Sequence, residues 1–244
     1  HAKMALNAGK HILVEKPFTA TTAQAKELFA LAKSVGKKIL VYQNRRYDSG
    51  YNAVKSIVES DKLGKLIEVH FRFDRYRNVI GPKSFKEEVV EATGLQYDLG
   101  PHLLDQAISL FGKPEKYHKI LGKNRDQTKV DDYLHIQLSY PNDLYVFLTA
   151  SMLVEDIKEA FVINGSKGSF SKNHADVQEA QLLKGIKPTA ENYGIEDRED
   201  AGKLTLISED GEKSIETIPS EKGDYMGLFE AVYQNVINDI PYPI

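Results

Sequence analysis

The 244-residue chain carries 32 Lys and Arg against 35 Asp and Glu, a formal net charge of −3. That balance excludes the basic excess with which nucleic-acid-binding domains displace counterions, and it leaves no polybasic patch for a membrane surface. Hydrophobic residues at 41 % and charged residues at 27 % are globular proportions without a bilayer-spanning run, and zero cysteines with no secretory leader lead to the expectation of a cytoplasmic protein free of disulfides and thiolate chemistry.

Ala2, Met4, Ala5 and Leu6, closed by Asn7-Ala8-Gly9, read as the last turns of a helix with a glycine C-cap. The chain thus starts inside an element, and further residues are expected before His1. His11 to Val14 is a short apolar strand, closed by Glu15-Lys16-Pro17 because Pro17 cannot donate a ladder hydrogen bond. Thr21 with Gln24 forms a capping-box signal, Ala25, Leu28, Phe29 and Ala32 recur at helical spacing, and Gly36 supplies the stop. A second strand follows at Lys38 to Tyr42, completing a strand–helix–strand unit whose two strands should pair in parallel through a right-handed crossover. A further helix is expected from about Asp48 to Ser60.

Beyond Gly64, Ile67, Val69, Phe71 and Phe73 alternate with Glu68, His70, Arg72 and Asp74, the period-2 pattern of a strand with one buried face. Leu134, Ile136 and Leu138 alternate likewise, Pro141-Asn142-Asp143 turns the chain, and Leu144, Val146 and Leu148 return as a hairpin. Further strands are expected at Ala160 to Ile163, Lys203 to Ile207 and Lys213 to Ile218, and a last helix at Tyr225 to Asn238. The polar stretch Lys187 to Gly202 reads as a mobile loop. The predicted class is α/β plus α+β: a parallel unit over residues 1–44, then residues 45–244 with a large, mostly antiparallel open sheet that needs covering by helices or by another subunit.

Two clusters bear on chemistry. Glu15-Lys16-Pro17 lies at the carboxyl end of a parallel strand, where open α/β sheets place ligands, although a lysine there is often only solvated. The second is Asp98-Leu99-Gly100-Pro101-His102-Leu103-Leu104-Asp105. Proline is tolerated in a helix's first turn, so the helix should begin near Asp98, with Asp98 at or beside the N-cap. Asp98, His102 and Asp105 then share a face, and an imidazole flanked by carboxylates should have its charged form favoured and be suited to moving a substrate proton. The alternative is a capping Asp, a structural His and a solvated Asp. A metal site ranks below proton transfer, because no cysteine and no zinc-like histidine spacing accompany the cluster. Asn164-Gly165-Ser166-Lys167-Gly168 is read as a hairpin turn rather than a phosphate loop.

Three segments in order, His11-Ile12-Leu13-Val14-Glu15-Lys16-Pro17-Phe18, Arg45-Arg46-Tyr47 and Asp98 through Asp105, resemble the successive signatures of the Gfo/Idh/MocA oxidoreductases, relatives of glucose-fructose oxidoreductase and inositol dehydrogenase. The resemblance implies an NAD(P)-binding Rossmann domain, of which residues 1–44 are the carboxyl-terminal remnant, and a substrate-binding and oligomerisation domain over residues 45–244. It implies hydride transfer between NAD or NADP and a secondary alcohol of a sugar, cyclic polyol or dihydrodiol, in a homo-oligomer joined through the sheet face.

Carried over by position, Lys16 stands between nicotinamide and substrate and polarises the reacting oxygen, His102 is the acid/base, and Asp98 positions substrate and lysine. Glu15 and Pro17 shape the turn around the cofactor, and Arg46, with Arg45 and Tyr47, lies near cofactor and substrate, Tyr47 on the substrate's side. No metal, nucleic acid or membrane is implied. The glycine-rich turn that would hold the pyrophosphate is not in this sequence, so these 244 residues by themselves are expected to bind NAD(P) weakly and to be inactive. Pro101 beside His102 is a local variation. The rival readings are a regulatory or sensor protein that binds dinucleotide without turnover, and a purely structural dimerisation module.

Overall fold

The computed structural model describes residues 1–81 and 84–244. Helix α1 (Ala2–Asn7) ends where Gly9 takes φ 73°, and strand β1 (Ile12–Glu15) follows. Helix α2 (Thr22–Ser34) starts at the predicted capping box: Thr21 Oγ1 accepts from the Gln24 N–H at 3.2 Å, and Gln24 Oε1 accepts from the Thr21 N–H at 3.2 Å. Such a cap contributes about 1 kcal/mol. Strand β2 (Ile39–Tyr42) pairs with β1 in parallel, from Ile12 opposite Ile39 to Glu15 opposite Tyr42. Leu6, Leu28, Ala32 and Ile39 form a small core of their own.

Helix α3 (Ser49–Glu59) leads into strand β3 (Leu66–Asp74), followed by the short helix α4 (Leu95–Asp98) and helix α5 (Gly100–Phe111). Strands β4 (Lys116–Gly122), β5 (Tyr133–Tyr140), β6 (Leu144–Ser151), β7 (Phe161–Gly165) and β8 (Gly168–Lys172) come next. Helix α6 (Gln178–Leu183), strands β9 (Gly202–Ile207) and β10 (Lys213–Ile218), and helix α7 (Tyr225–Asn238) complete the chain. One eight-stranded sheet runs in the order β10-β9-β8-β7-β3-β6-β5-β4. Only one interior pair, β3 with β6, is parallel, so it is the mostly antiparallel sheet expected.

The period-2 pattern is reproduced in burial. Val69 and Phe71 of β3, Leu134, Ile136 and Leu138 of β5, and Val146, Leu148 and Ala150 of β6 point to one face and pack with Val54 and Ile57 of α3 and Leu103 and Ala107 of α5. Each such large side chain stabilises the fold by roughly 1.5–3 kcal/mol through removal from water. The opposite face carries a half-exposed stack, with His70 4.9 Å and His135 6.0 Å from the Phe147 ring.

The structure departs from the sequence reading in three places. Asp98 stands beside the N-cap of α5, Leu99, and Pro101 lies in that helix's first turn, both as expected, but Asp98 is also the last residue of a separate short helix, α4, that the sequence reading lacks. The reason is Gly94, whose φ of 89° lets Asp131 close over an earlier turn, its Oδ2 accepting from the Gln96 N–H at 2.6 Å and its carbonyl from the Leu95 N–H at 2.8 Å. Strand β4 was missed because it is an edge strand whose residues from Lys116 to Leu121 are all exposed, leaving no buried face to impose alternation. The Lys187–Gly202 stretch is anchored rather than free: Tyr193 is buried, the Gly194 N–H donates to Gln181 Oε1 at 2.7 Å, and Glu196 accepts from buried Lys172 at 2.7 Å.

Candidate functional site

Two parallel strand pairs aim their carboxyl ends at one cleft of about 670 Å³. From the small unit come Glu15 and Lys16 at the end of β1, Tyr42 at the end of β2, and Asn44 and Arg45 just beyond it. From the large sheet come Arg75 and Arg77 beyond β3 and Met152 beyond β6, with Asp98 and His102 supplied by α4 and α5. Carboxyl ends of parallel strands are where α/β folds bind ligands, and the volume suits a small polar molecule beside a planar ring.

Lys16 spans the cleft. Its Nζ donates to the backbone carbonyl of Asp98 at 2.6 Å and to Asp98 Oδ1 at 3.2 Å, and Lys86 Nζ donates to the same Oδ1 at 2.8 Å. Burial alone would push the Asp98 carboxyl up, but the hydrogen bond from Lys86 and the charges of Lys16 and Lys86 hold it below the usual carboxylate value. Two further bonds tie the units together alongside this bridge, Tyr97 Oη to the Ala20 carbonyl at 3.1 Å and Gln24 Nε2 to Glu91 at 2.9 Å.

His102 lies in the first turn of α5, 6 % exposed, and its Nδ1 is buried without a hydrogen-bond partner among the described residues. Burial, then the charges of Lys16 and Arg45, lower its pKa to about 3, outweighing Asp98. The expected carboxylate-flanked, readily charged imidazole is therefore corrected. Asp98 is engaged by two lysines, and Asp105 turns to Arg46, which donates from Nε to Oδ2 and from Nη2 to Oδ1, each at 2.7 Å. Cations dominate the surroundings, and the histidine is a neutral imidazole at physiological pH, carrying one N–H and one lone pair.

The predicted site residues do not all converge. Glu15, Lys16, Asp98 and His102 line the cleft, and Pro17 lines an adjoining lobe shared with Lys16 and Asp98. Arg46 and Tyr47 are not among the lining residues. Arg46 also donates to the Pro243 carbonyl at 2.6 Å, while the Tyr47 carbonyl accepts from Gln178 Nε2 at 3.1 Å and from the Asp224 N–H at 3.0 Å. Arg45 faces the cleft instead, held by Asp48 at 3.2 Å and Glu179 at 2.7 Å, with its guanidinium 5.5 Å from the Phe73 ring centroid. Tyr225 adds a hydroxyl to the cleft wall that donates to Asp48 Oδ1 at 2.9 Å. Residues 44–47 form a tight 3-10 turn, and no local pattern distinguishes which of two consecutive arginines it sends inward. Lys86, Glu179 and Tyr225 carried no sequence signal, because they join the cleft from distant segments.

The residues present fit the nicotinamide end of a dinucleotide: a parallel pair ending on the cleft, a lysine at that edge, and an orphaned imidazole nitrogen below it. Among the described residues no cluster of three or more His, Asp or Glu is arranged to hold a metal ion, and no helix is long and apolar enough to cross a membrane.

With that geometry in hand, comparison with known proteins is consistent at every level. The model of the oxidoreductase family's C-terminal alpha/beta domain matches residues 55–244, and that of its NAD-binding Rossmann fold matches residues 1–43. The chain is 41 % identical to the uncharacterized oxidoreductase YhhX of Escherichia coli K12, over 99 % of its own length and 68 % of that protein. It is 32 % identical to the scyllo-inositol 2-dehydrogenase (NADP(+)) IolW of Bacillus subtilis, over 100 % of its length and 67 % of that enzyme. The crystal structure of an oxidoreductase from Bacillus cereus superposes with a TM-score of 0.89 at 35 % identity, over 98 % of this chain and 69 % of the other. The sequence motifs, the parallel remnant and the large mixed sheet thus have one common source, and the chain belongs to the Gfo/Idh/MocA oxidoreductase family.

Proposed function

We propose that the protein is an NAD(P)-dependent dehydrogenase that transfers a hydride between nicotinamide and a CH–OH carbon of a sugar, cyclic polyol or dihydrodiol. The observation that carries this reading is the Lys16–Asp98 bridge, which brings an ammonium from the small unit to the cleft wall that holds the orphaned His102 imidazole. When bound, the nicotinamide supplies the hydride acceptor and donor; the chain's own residues handle position and the proton.

In the oxidation direction His102, neutral because of burial and its cationic neighbours, offers a lone pair to the substrate hydroxyl and takes its proton as the carbonyl forms. Lys16, oriented by the Asp98 carbonyl and carboxylate, donates to the same oxygen and favours the negative charge that develops there. In reduction the imidazolium returns the proton. General acid–base assistance of this kind contributes about 10²–10⁴-fold. The half-exposed sheet face of His70, Phe147 and His135 is assigned to contact with a second copy of the chain, checked by sedimentation of wild-type protein against His70→Asp.

The test is the reduced-nicotinamide absorbance of the full-length protein with NAD+ or NADP+ and a panel of cyclic polyols, sugars and dihydrodiols. Dinucleotide binding without turnover of any member would replace this reading with that of a non-catalytic regulator or sensor.

A further inference from the structure

We propose that Arg75 and Arg77 form an oxyanion site on the cleft wall and that the substrate carries a carboxylate or phosphate group besides the alcohol that reacts. The inference rests on the dehydrogenase reading above and narrows its substrate class.

Both arginines follow β3 on the same side of the extended chain, continuing the alternation Val69, Phe71, Phe73 that faces the core below α5. Both line the cleft. The Arg75 guanidinium lies over the Phe73 ring, 5.1 Å from its centroid, a cation–π contact that uses the face of the guanidinium rather than its N–H donors. Among the described residues neither guanidinium has a hydrogen bond or an ion pair. The other two arginines of the cleft differ: Arg45 is held by Asp48 and Glu179, and Arg125 by Glu87 and Asp132.

No cleft carboxylate is left to serve this pair. Asp98 is shared by Lys16 and Lys86, Glu179 is taken by Arg45, and Glu15 belongs to the opposite wall at the end of β1. Burial and the like charge of Arg77 both act against the Arg75 cation, with Asp98 and Glu179 pulling the other way only from a distance. Two like charges with no ion-paired carboxylate among the described residues raise the free energy of the cleft, and a bidentate oxyanion relieves that. The pair projects from the large sheet, on the His102 side. The residues that fit the nicotinamide end, at the ends of β1 and β2, belong to the small unit instead, and the turn that would hold the cofactor's pyrophosphate is not in this sequence, which favours the substrate as the source of the anion.

Three sugars that differ only at C6 test this in the full-length enzyme: D-glucose, D-glucuronate and D-glucose 6-phosphate. One of the two acids should be oxidised with kcat/KM at least about tenfold above glucose, and which one identifies the group as carboxylate or phosphate. R75Q and R77Q should each reduce that preference by about ten- to hundredfold, through KM more than kcat, and R75K, which keeps the charge but not the two-donor fork, should restore only part of it. Arg77 is exposed, so R77Q tests the site without threatening the fold. Equal efficiency on all three sugars overturns the anion site and leaves the dehydrogenase standing, as does a rise in KM confined to NAD(P)+ in either variant. If no sugar or polyol is turned over, calorimetry with D-glucuronate and inorganic phosphate decides: binding lost in R77Q upholds the anion site while the dehydrogenase reading fails, and no binding to wild-type protein overturns the site.

Discussion

Lys16 and Asp98, 82 residues apart, meet through two bonds of different kinds, one to a backbone carbonyl at 2.6 Å and one to a carboxylate oxygen at 3.2 Å. The carbonyl contact belongs to the fold of α4 and persists whatever side chain stands at position 98, whereas the carboxylate contact also offsets the charge of two lysines. Removing the ammonium and removing the carboxylate should therefore differ. Lys16→Ala is expected to lower kcat by at least about 10²-fold, since both the orientation and the polarising charge go. Asp98→Asn keeps the carbonyl contact and should lose less, about tenfold. Lys16→Arg should not rescue, because a planar fork cannot reproduce a point donor between two oxygens. Steady-state kinetics of the three variants check the order.

In the proposed mechanism His102 can accept the substrate proton only if it is free of one beforehand. Burial and the neighbouring Lys16 and Arg45 charges set its pKa at about 3, far below the ordinary histidine value of 6.5. The base form is then present throughout the neutral range, so kcat/KM for alcohol oxidation, which reports the free enzyme, should show no acid limb above pH 5 from this group. His102→Ala should lose at least about 10²-fold in kcat. An acid limb between pH 6 and 7 that vanishes in His102→Asn would show that the imidazole titrates normally and that its surroundings are not as described.

The same shift makes a statement about stability. The folded-state value lies below the unfolded one, so as pH falls the unfolded chain takes up the proton first. The contribution is complete above about pH 6.5 and is lost as pH falls toward 3. At pH 4 the loss amounts to about 3 kcal/mol for this single, well-buried group. His102→Gln has no proton to gain, and urea unfolding at pH 7 and pH 4 should show its acid destabilisation smaller than the wild type's by about that amount.

How far the sequence carries the structure depends on whether the signal is local. The capping box at Thr21 and Gln24, the Pro141-Asn142-Asp143 turn and the alternation through β5 and β6 are written in neighbouring residues, and each element forms where the pattern puts it. Strand β4, held by pairing to β5 alone, has no buried face and so no pattern. At the site, spacing on α5 suggested that Asp98 and Asp105 flank His102. Long-range partners decide otherwise, because Lys16 and Lys86 claim one carboxylate and Arg46 the other. Arg75 and Arg77 were legible in principle: the odd-numbered alternation that buries Val69 and Phe71 runs past the strand end and delivers both to the cleft.

Gly94 links backbone conformation to the site. With φ at 89°, a Cβ at this position would stand 2.2 Å from Asp131 Oδ1, the carboxylate that holds the first turn of α4 through the Gln96 N–H. Gly94→Ala must either move Asp131 or change the turn, and since α4 ends at Asp98, either route shifts the Lys16 anchor. The expected outcome is a loss of about 1–3 kcal/mol in unfolding free energy together with a fall in kcat. Gly112→Ala, at a helix end with φ 74° and open space around the added Cβ, is the control: strained to a similar degree, it should change stability and leave kcat alone.

Arg46 and Asp105 form the most geometrically complete ion pair near the cleft, two parallel bonds of 2.7 Å between side chains 19 % and 11 % exposed. The pair clamps the 3-10 turn at residues 44–47 against α5, and Arg46 Nη1 extends the clamp to the carboxyl-terminal Pro243 carbonyl at 2.6 Å. Burial works against each charge, and the mutual bonds hold both ionised only while the partner is present; for Asp105 burial prevails and its pKa is raised. Truncating one member leaves the other charge partly buried and alone, which typically costs about 2–4 kcal/mol for a pair of this depth. Arg46→Ala and Asp105→Ala should each destabilise by that order, and the double variant should be far less unstable than their sum, giving a coupling energy of about 1–3 kcal/mol. Urea unfolding of the four proteins measures it. A coupling near zero would mean that the guanidinium is held by the Pro243 carbonyl and by packing rather than by Asp105, and that Arg46 is free to turn toward the cleft.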